Sequence, residues 1–333
     1  TGYWMVGCAS DLFQANYCSL KIKLNYKTLF KIVITAIFFI LVFTQVDFNG
    51  FSKNLFNLSF SHILGALICL ILQSVIVAKR WGVIVKKLAR PVPYINILMV
   101  NFRSLSSSLV LPNIIAEPAV KAYLLKEYEV PVADAITSVI IDKLFVLVGL
   151  LSLTIMVGPC IFFLYPETQI WINIYVLIIV ILILVNIIFR LKLSSSLPGK
   201  IIDILEKYKK YIDALKYMLF DREITLPCLM LSFFSQAMAI CAVFILSLVM
   251  EPGLTFVQCV LFMPPVMFVT ALPIAFNGWG VRELAMVYIL GFANVQSEAA
   301  LALSVQFGTI GLLLWSIGLI FWIPVMRKDN ENT

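Results

Sequence analysis

Side chains able to do chemistry are scarce in this sequence. His62 is the only histidine, so we expect neither a Ser-His-Asp triad nor a histidine-rich metal centre, although a site built from carboxylates alone stays open. The seven cysteines are scattered, and most lie in apolar runs, as Cys69 and Cys228 do, which suits small buried hydrophobes rather than a disulfide framework. Charged residues make up only 13% of the chain, and no stretch is polar enough to form a soluble domain. We predict no metal ion and no cofactor.

Apolar residues dominate what remains. They make up 62% of the chain, which is typical of an integral membrane protein. Six runs each hold the roughly 20 apolar residues that a helix needs to cross a bilayer. These predicted transmembrane helices cover about 29–47, 60–78, 133–157, 170–189, 224–249 and 297–325. The predicted fold class is therefore an all-α polytopic membrane protein.

Two further hydrophobic segments, about 95–130 and 254–292, are interrupted. The first carries Arg103, a serine cluster at Ser104–Ser108, and Pro112; the second carries Pro264-Pro265, Pro273 and the turn Asn277-Gly278-Trp279-Gly280. Proline removes a helical hydrogen-bond donor and glycine permits a sharp turn. Each segment is therefore predicted to be a re-entrant helical hairpin, which enters and leaves the membrane on one side.

The distribution of lysine and arginine supports this topology. With the amino terminus in the cytoplasm, the basic clusters at 21–31, 79–90, 190–222 and 327–328 and Lys126 all lie on the cytoplasmic side, and only Lys53 lies opposite. Cytoplasmic loops of membrane proteins carry such an excess, and every loop obeys it only if both interrupted segments are re-entrant. We expect the cytoplasmic (inner) membrane, with both termini cytoplasmic.

The order helix, helix, hairpin, helix occurs twice. Leu111-Pro112 and Leu272-Pro273 are offset by 161 residues, and the helices that begin near 60 and 224 by 164. Three crossings separate equivalent points, so the second copy is inverted, as in many secondary transporters. Coincidence between two hydrophobic halves is the alternative. The predicted division is an amino-terminal strap or leader (1–24), repeat 1 (25–158), repeat 2 (159–326), which includes an amphipathic cytoplasmic helix or solvated connector (198–220), and a cytoplasmic tail (327–333).

Each predicted hairpin carries a cation nine residues after its proline, Lys121 in the first and Arg282 in the second. Cations at membrane depth are costly and commonly functional, so both are expected to face a shared polar cavity and hold a phosphate. The alternative is structural, with buried ion pairs of Glu117 with Lys121 and of Arg282 with a carboxylate such as Asp142. Adjacent Arg282 and Glu283 are expected to point apart. The candidate substrate-binding residues are Arg103, Glu117, Lys121, Asp142, Lys143, Asn277, Arg282 and Glu283.

Three segments carry a family resemblance: ALPIAFNGWGVRELAMVYIL, EPAVKAYLL and DAITSVIIDKL. They resemble motifs of the lysylphosphatidylglycerol synthase transmembrane, or flippase-like, domain, a family associated with moving lipids between leaflets. The residues that match are Asn277, Gly278, Gly280, Arg282 and Glu283. Lys121 and Lys143 stand where arginine is usual, and Ala116 where glycine is usual, so the resemblance implies a looser first half-site, since lysine cannot hold phosphate bidentately.

The function expected from these features is translocation of an anionic or zwitterionic phospholipid, without catalysis. Two alternatives stay open: a membrane-embedded enzyme acting on a lipid phosphate or polyprenyl-linked sugar, and a scaffold for a lipid-modifying glycosyltransferase. The sequence shows no nucleophile–base pair and no nucleotide-binding loop, and it has no counterpart of the family's aminoacyl-transferase domain, so lysyl transfer is not expected. The expected partners are a membrane lipid and the bilayer, with no nucleic acid; a homodimer or a lipid-modifying enzyme partner stays open.

Overall fold

All regular secondary structure in the described part of the chain is helical. The computed structural model describes residues 48–109, 113–164, 221–250, 253–271 and 278–322. Its helices are α1 (Phe48–Phe56), α2 (Phe60–Leu88), α3 (Tyr94–Ser106), α4 (Asn113–Leu124), α5 (Val132–Leu164), α6 (Arg222–Ser247), α7 (Phe256–Ala271), α8 (Val281–Gly291) and α9 (Ser297–Gly318). Short 3₁₀ turns follow α3, α4 and α9. Several predicted segments lie outside the described residues: helices 29–47 and 170–189, the helix or connector 198–220, the strap 1–24 and the tail 327–333.

Four of these helices are long and apolar enough to cross a membrane. They span Phe60–Leu88, Val132–Ile161, Arg222–Ser247 and Ser297–Trp322. A bilayer has no water to satisfy exposed backbone groups, so continuous helices are the structure that such apolar runs adopt. The prediction of an all-α polytopic membrane protein is confirmed, while the full number of helices and hairpins stays a prediction.

Helices α2 and α7 both depart from the sequence prediction. α2 was expected to end near residue 78, where the apolar run stops, but it continues through a basic stretch to Leu88. Trp81, Ile84 and Val85 are buried along this extension while Lys86 and Lys87 point outward, so amphipathic packing sustains the helix beyond the apolar run. α7 runs unbroken through Pro264-Pro265, which the sequence suggested as part of an interruption. Helices packed inside a membrane bundle tolerate proline in this way.

Each interrupted segment contains two helices that pack against each other. α3 contacts α4 in the first segment, and α7 contacts α8 in the second. The connections that contain Leu111-Pro112 and Leu272-Pro273 lie between these helices, outside the described residues. Two helices packed together within one segment are what the hairpin prediction requires. Entry and exit on one side of a membrane stay a prediction.

The helix contacts are reciprocal between the two halves. If α2, α3, α4 and α5 correspond to α6, α7, α8 and α9, then every contact within one half has its counterpart in the other. Among these eight helices, the contacts between halves are paired as well: α3 packs on α9 as α7 packs on α5, and α2 contacts α9 as α6 contacts α5. α2 and α6 pack along each other at the centre. Such reciprocity is expected of two repeats related by a pseudo-twofold axis.

Small residues allow the two halves to approach closely. A Cβ added to Gly149 on α5 would lie 2.8 Å from Cβ of Ser232 on α6, and one added to Gly318 on α9 would lie 3.1 Å from Cβ of Ser106 on α3. The hydroxyls of Ser104 and Ser106 donate to carbonyl oxygens of their own helix. The serine cluster of α3 therefore forms a helix-packing face, which is a common use of small residues in membrane bundles.

Candidate functional site

A cavity of about 360 Å³ lies between the two halves. Residues from every helix from α2 to α9 line it. Its size falls at the lower end of the range for small-molecule pockets, so it suits a polar headgroup better than a whole two-chain lipid. The charged residues of its wall are Arg80, Glu117, Asp142, Lys143 and Arg282.

Arg80 and Asp142 form a buried ion pair that ties α2 to α5. Arg80 Nε donates to Asp142 Oδ1 at 2.7 Å, and Nη1 donates to Ser232 Oγ on α6 at 3.0 Å. The Arg80 side chain is 0% exposed, and its Nη2 has no partner among the described residues. Two charges in a low-dielectric wall compensate each other's loss of hydration, but the third nitrogen is left available.

Glu117 on α4 holds two lysines. Its Oε1 accepts from Lys121 Nζ at 2.6 Å, one helical turn further along, and its Oε2 accepts from Lys143 Nζ on α5 at 2.7 Å. α4 continues through Pro118, so Glu117 and Lys121 share a helix face, as the four-residue spacing predicts.

The two lysines differ in exposure. The Lys121 side chain is 0% exposed and lies 5.1 Å from the Trp81 ring centroid, whereas the Lys143 side chain is 43% exposed and lines the cavity. Lys121 does not line it. The expectation that Lys121 faces the chamber directly is therefore replaced: on the first half, Lys143 faces the cavity, and Lys121 supports it by fixing Glu117.

The second half builds its site on a glycine turn. Gly278 and Gly280 have φ values of +76° and +83°, a conformation that residues with a side chain rarely adopt. α8 begins directly after this turn, and Glu283 in its first turn folds back so that its Oε2 accepts from the Gly280 N–H. A carboxylate at this position satisfies an orphan helix donor and the positive end of the helix dipole. The amino-terminal N–H of α8 is thus engaged by the protein itself.

Arg282 is the cation that this turn presents to the cavity. Its Nη2 donates to Glu283 Oε1 at 2.7 Å, and its Nε donates to Ser304 Oγ on α9 at 3.0 Å. The guanidinium carbon lies 4.6 Å from the Trp279 ring centroid, and the side chain is 14% exposed. Within the described chain these bonds engage Nε and Nη2, so Nη1 retains donors for a ligand. The pairing with Glu283 corrects the expectation that these neighbours point apart; the fold-back of Glu283 brings its carboxylate beside the guanidinium.

The two halves therefore repeat one construction. In the first half, Glu117 binds Lys121 of its own helix, α4, and Lys143 of α5. In the second half, Glu283 binds Arg282 of its own helix, α8, and Ser304 of α9. Lys143 and Ser304 are offset by 161 residues, the same interval that separates the two Leu-Pro pairs.

The remaining predicted residues do not all join the cavity. Arg103 lies away from it: its Nε donates to the carbonyl oxygen of Phe321 at 2.7 Å, which satisfies the end of the last helix. Asn277 lies outside the described residues.

Both ion pairs of the structural alternative are present: Glu117 pairs with Lys121, and Arg282 pairs with a carboxylate. That carboxylate is Glu283 rather than Asp142, which lines the cavity but pairs with Arg80.

Sequence reasoning missed Arg80 and Asn101. Arg80 was counted with a cytoplasmic basic cluster because the apolar run ends at residue 78. The signal that identifies it is the spacing of Trp81, Ile84 and Val85, which continues the buried face of α2 beyond Lys79. Asn101, a polar residue just past the middle of α3, carried no motif.

The cavity wall has a net charge of one positive unit, because it contains three cations and two carboxylates: Arg80, Lys143 and Arg282, and Glu117 and Asp142. The pair behind the wall, Lys121 and Glu283, leaves this excess unchanged. Among the described residues, no group of three or more His, Cys, Asp or Glu side chains is placed to hold a metal ion.

Comparison with known proteins supplies the family. No curated protein and no solved structure matches the chain with statistical significance. A family profile described as the lysylphosphatidylglycerol synthase TM region matches residues 28–318. That range contains the glycine turn and every residue of the cavity wall. The chain therefore belongs to the lysylphosphatidylglycerol synthase transmembrane-region family.

Proposed function

We propose that the protein is a lipid translocase that moves an anionic or zwitterionic phospholipid across the cytoplasmic membrane. The headgroup occupies the cavity between two inverted repeats while the acyl chains stay in lipid. One observation carries the proposal: Lys143 from one half and Arg282 from the other line a single cavity whose wall has one positive charge in excess. One excess charge suits one phosphodiester.

The binding step follows from the hydrogen bonds of these two cations. Lys143 Nζ has three donors, of which Glu117 uses one, and Arg282 retains the donors of Nη1. A phosphate between them gains charge-assisted hydrogen bonds from both sides. Glu117 and Glu283 hold both cations in place before the lipid arrives, so little ordering is needed on binding. When the phosphate leaves, the same carboxylates restore the charge balance.

The reciprocal packing of the halves supports movement between two faces. In inverted-repeat transporters the site lies at the repeat interface, and the two halves alternate around it. The cavity lies at that interface here, with the second helix of each hairpin contributing a charged residue. The family membership agrees with a role in lipid metabolism or transport.

Lipid transfer in reconstituted vesicles tests the proposal. Purified protein is placed in liposomes that contain phosphatidylglycerol with a fluorophore on one acyl chain. Transfer between leaflets is followed as loss of protection of that fluorophore from a membrane-impermeant quencher. Replacing Arg282 with Gln should abolish the protein-dependent transfer, because one of the two cations proposed to bind the phosphate is lost. Glu283 keeps the Gly280 N–H and the Ser304 hydroxyl as partners, so the turn should remain folded.

The matched control is Arg222→Gln, which removes an exposed arginine at the start of α6, outside the cavity wall. It should transfer lipid at the wild-type rate. Wild-type transfer by a folded Arg282→Gln variant contradicts the proposed role of Arg282. Absence of transfer by the wild-type protein contradicts the proposed function itself.

A further inference from the structure

Two deeply buried polar atoms of the cavity wall have no partner among the described residues. They are Arg80 Nη2 and Asn101 Oδ1, and the two residues are 0% and 1% exposed. Both residues line the cavity. Buried polar atoms in folded proteins are almost always hydrogen-bonded, so each exception calls for an explanation.

The neighbours of these residues determine which atoms stay available. Asp142 and Ser232 take Nε and Nη1 of Arg80, which leaves Nη2. Asn101 Nδ2 donates to the carbonyl oxygen of Ser74 at 3.2 Å. A carbonyl oxygen only accepts, so the amide nitrogen must face it and the amide oxygen must face the other way. The wall therefore offers one charged donor and one neutral acceptor.

The donor and the acceptor need complementary groups on a ligand. A ligand that satisfies both must present an acceptor to Arg80 Nη2 and a donor to Asn101 Oδ1. Hydroxyl groups do either.

We infer that Arg80 and Asn101 form a second subsite, which selects lipids whose headgroup carries free hydroxyls beyond the phosphate. This inference rests on the proposed function, in which Lys143 and Arg282 hold the phosphate. A polyhydroxylated headgroup then accepts from Arg80 Nη2 and donates to Asn101 Oδ1. A headgroup that ends in an alkyl chain leaves both atoms unpaired, and a site built for hydrogen bonding discriminates strongly against such an analogue.

Binding of two lipids that differ only in hydroxyls tests the inference. The probes are phosphatidylglycerol and phosphatidylethanol with identical acyl chains, which share one phosphodiester charge. Affinity is measured by competition against a fluorescent phospholipid on the purified full chain in detergent micelles. The wild-type protein should bind phosphatidylglycerol at least about tenfold more tightly. If ordered water satisfied the two atoms instead, both lipids would bind alike.

Two variants assign the preference to these residues. Arg80→Lys keeps a cation beside Asp142 but removes Nη2, and Asn101→Leu removes the acceptor at similar volume. Each should bring the preference below about threefold, mainly by weakening phosphatidylglycerol binding. Ser235→Ala is the control, since Ser235 is buried on α6, bonds only the Ser232 carbonyl oxygen and does not line the cavity. It should retain the full preference.

The outcomes separate this inference from the proposed function. Equal binding of the two lipids by the wild-type protein overturns the inference, and if both lipids are also transferred, the translocase proposal stands. A folded Arg80→Lys or Asn101→Leu variant that keeps the tenfold preference also overturns it. Failure of the wild-type protein to bind or transfer either lipid overturns both. If a variant does not fold, the wild-type comparison alone decides.

Discussion

Gly308 on α9 lies directly against the guanidinium of Arg282 on α8. A Cβ built on Gly308 would come within 2.9 Å of Arg282 Cζ and 2.9 Å of Trp279 Cη2, and closer still to Arg282 Nη2. Because Gly308 has no side chain, the guanidinium of Arg282 and the ring of Trp279 can pack against α9 at the cavity wall.

Gly308→Ala should displace Arg282 without removing any charge. Because the methyl group occupies the space of the guanidinium, we expect lipid transfer in vesicles to fall at least about tenfold. Gly291→Ala is the control: it lies on the helix that carries Arg282 but outside the cavity wall, and an added Cβ meets nothing within 4 Å. Equal transfer by the two variants would contradict the proposed position of Arg282.

Lys121→Met and Lys143→Met should have opposite consequences. Lys121 is fully buried, so its loss leaves Glu117 with one partner and should lower the free energy of unfolding by about 1–3 kcal/mol, with lipid affinity of the folded protein nearly unchanged. Lys143 is half-exposed, so its loss should cost less than about 1 kcal/mol of stability but weaken phospholipid binding about tenfold. Unfolding in mixed micelles and lipid competition measure the two effects. The reverse pattern would restore Lys121 as the direct ligand.

Asp142→Asn should destabilise the protein more than any surface substitution. Arg80 would keep a buried charge with no counter-ion, which costs about 3–5 kcal/mol. The double variant Arg80→Met with Asp142→Leu removes both charges, so folded yield should recover while the preference for phosphatidylglycerol over phosphatidylethanol is lost. Size-exclusion profiles and lipid competition measure these results. Recovery of the preference in the double variant would show that Arg80 does not contribute to it.

Gly280→Ala should strain the turn that begins α8. With φ at +83°, an alanine costs about 1–3 kcal/mol and misaligns the N–H that Glu283 binds, so both stability and transfer should fall. Gly291→Ala, at the other end of the same helix, is the control, because its added Cβ meets nothing within 4 Å. Its melting temperature should equal or exceed that of the wild-type protein. Similar losses in the two variants would argue against a specific role for the turn.

Much of this architecture is predictable from the sequence. Long apolar runs predict the positions of α2, α5, α6 and α9. The motif that contains Gly278, Gly280, Arg282 and Glu283 correctly indicates a family and a cavity-lining arginine. These features are local, because hydrophobic run length and turn chemistry depend on a few neighbouring residues.

The details of the site are not predictable in this way. Whether Lys121 faces the cavity or Trp81 depends on the rotation of α4, which is determined by packing against α2 and α5. The partner of Arg282 depends on how Glu283 folds back to the Gly280 N–H. Arg80 was missed because the apolar run ends at residue 78, whereas α2 continues to Leu88. In each case a contact between distant segments, or a side-chain rotamer, overrides the local pattern.

The crossed packing of the halves has a mechanical consequence. Because α3 packs on α9 and α7 packs on α5, each of these two long helices contacts an interrupted segment of the opposite half. In the proposed translocase, a tilt of α5 or α9 therefore moves part of the other half with it, so the two halves change position together.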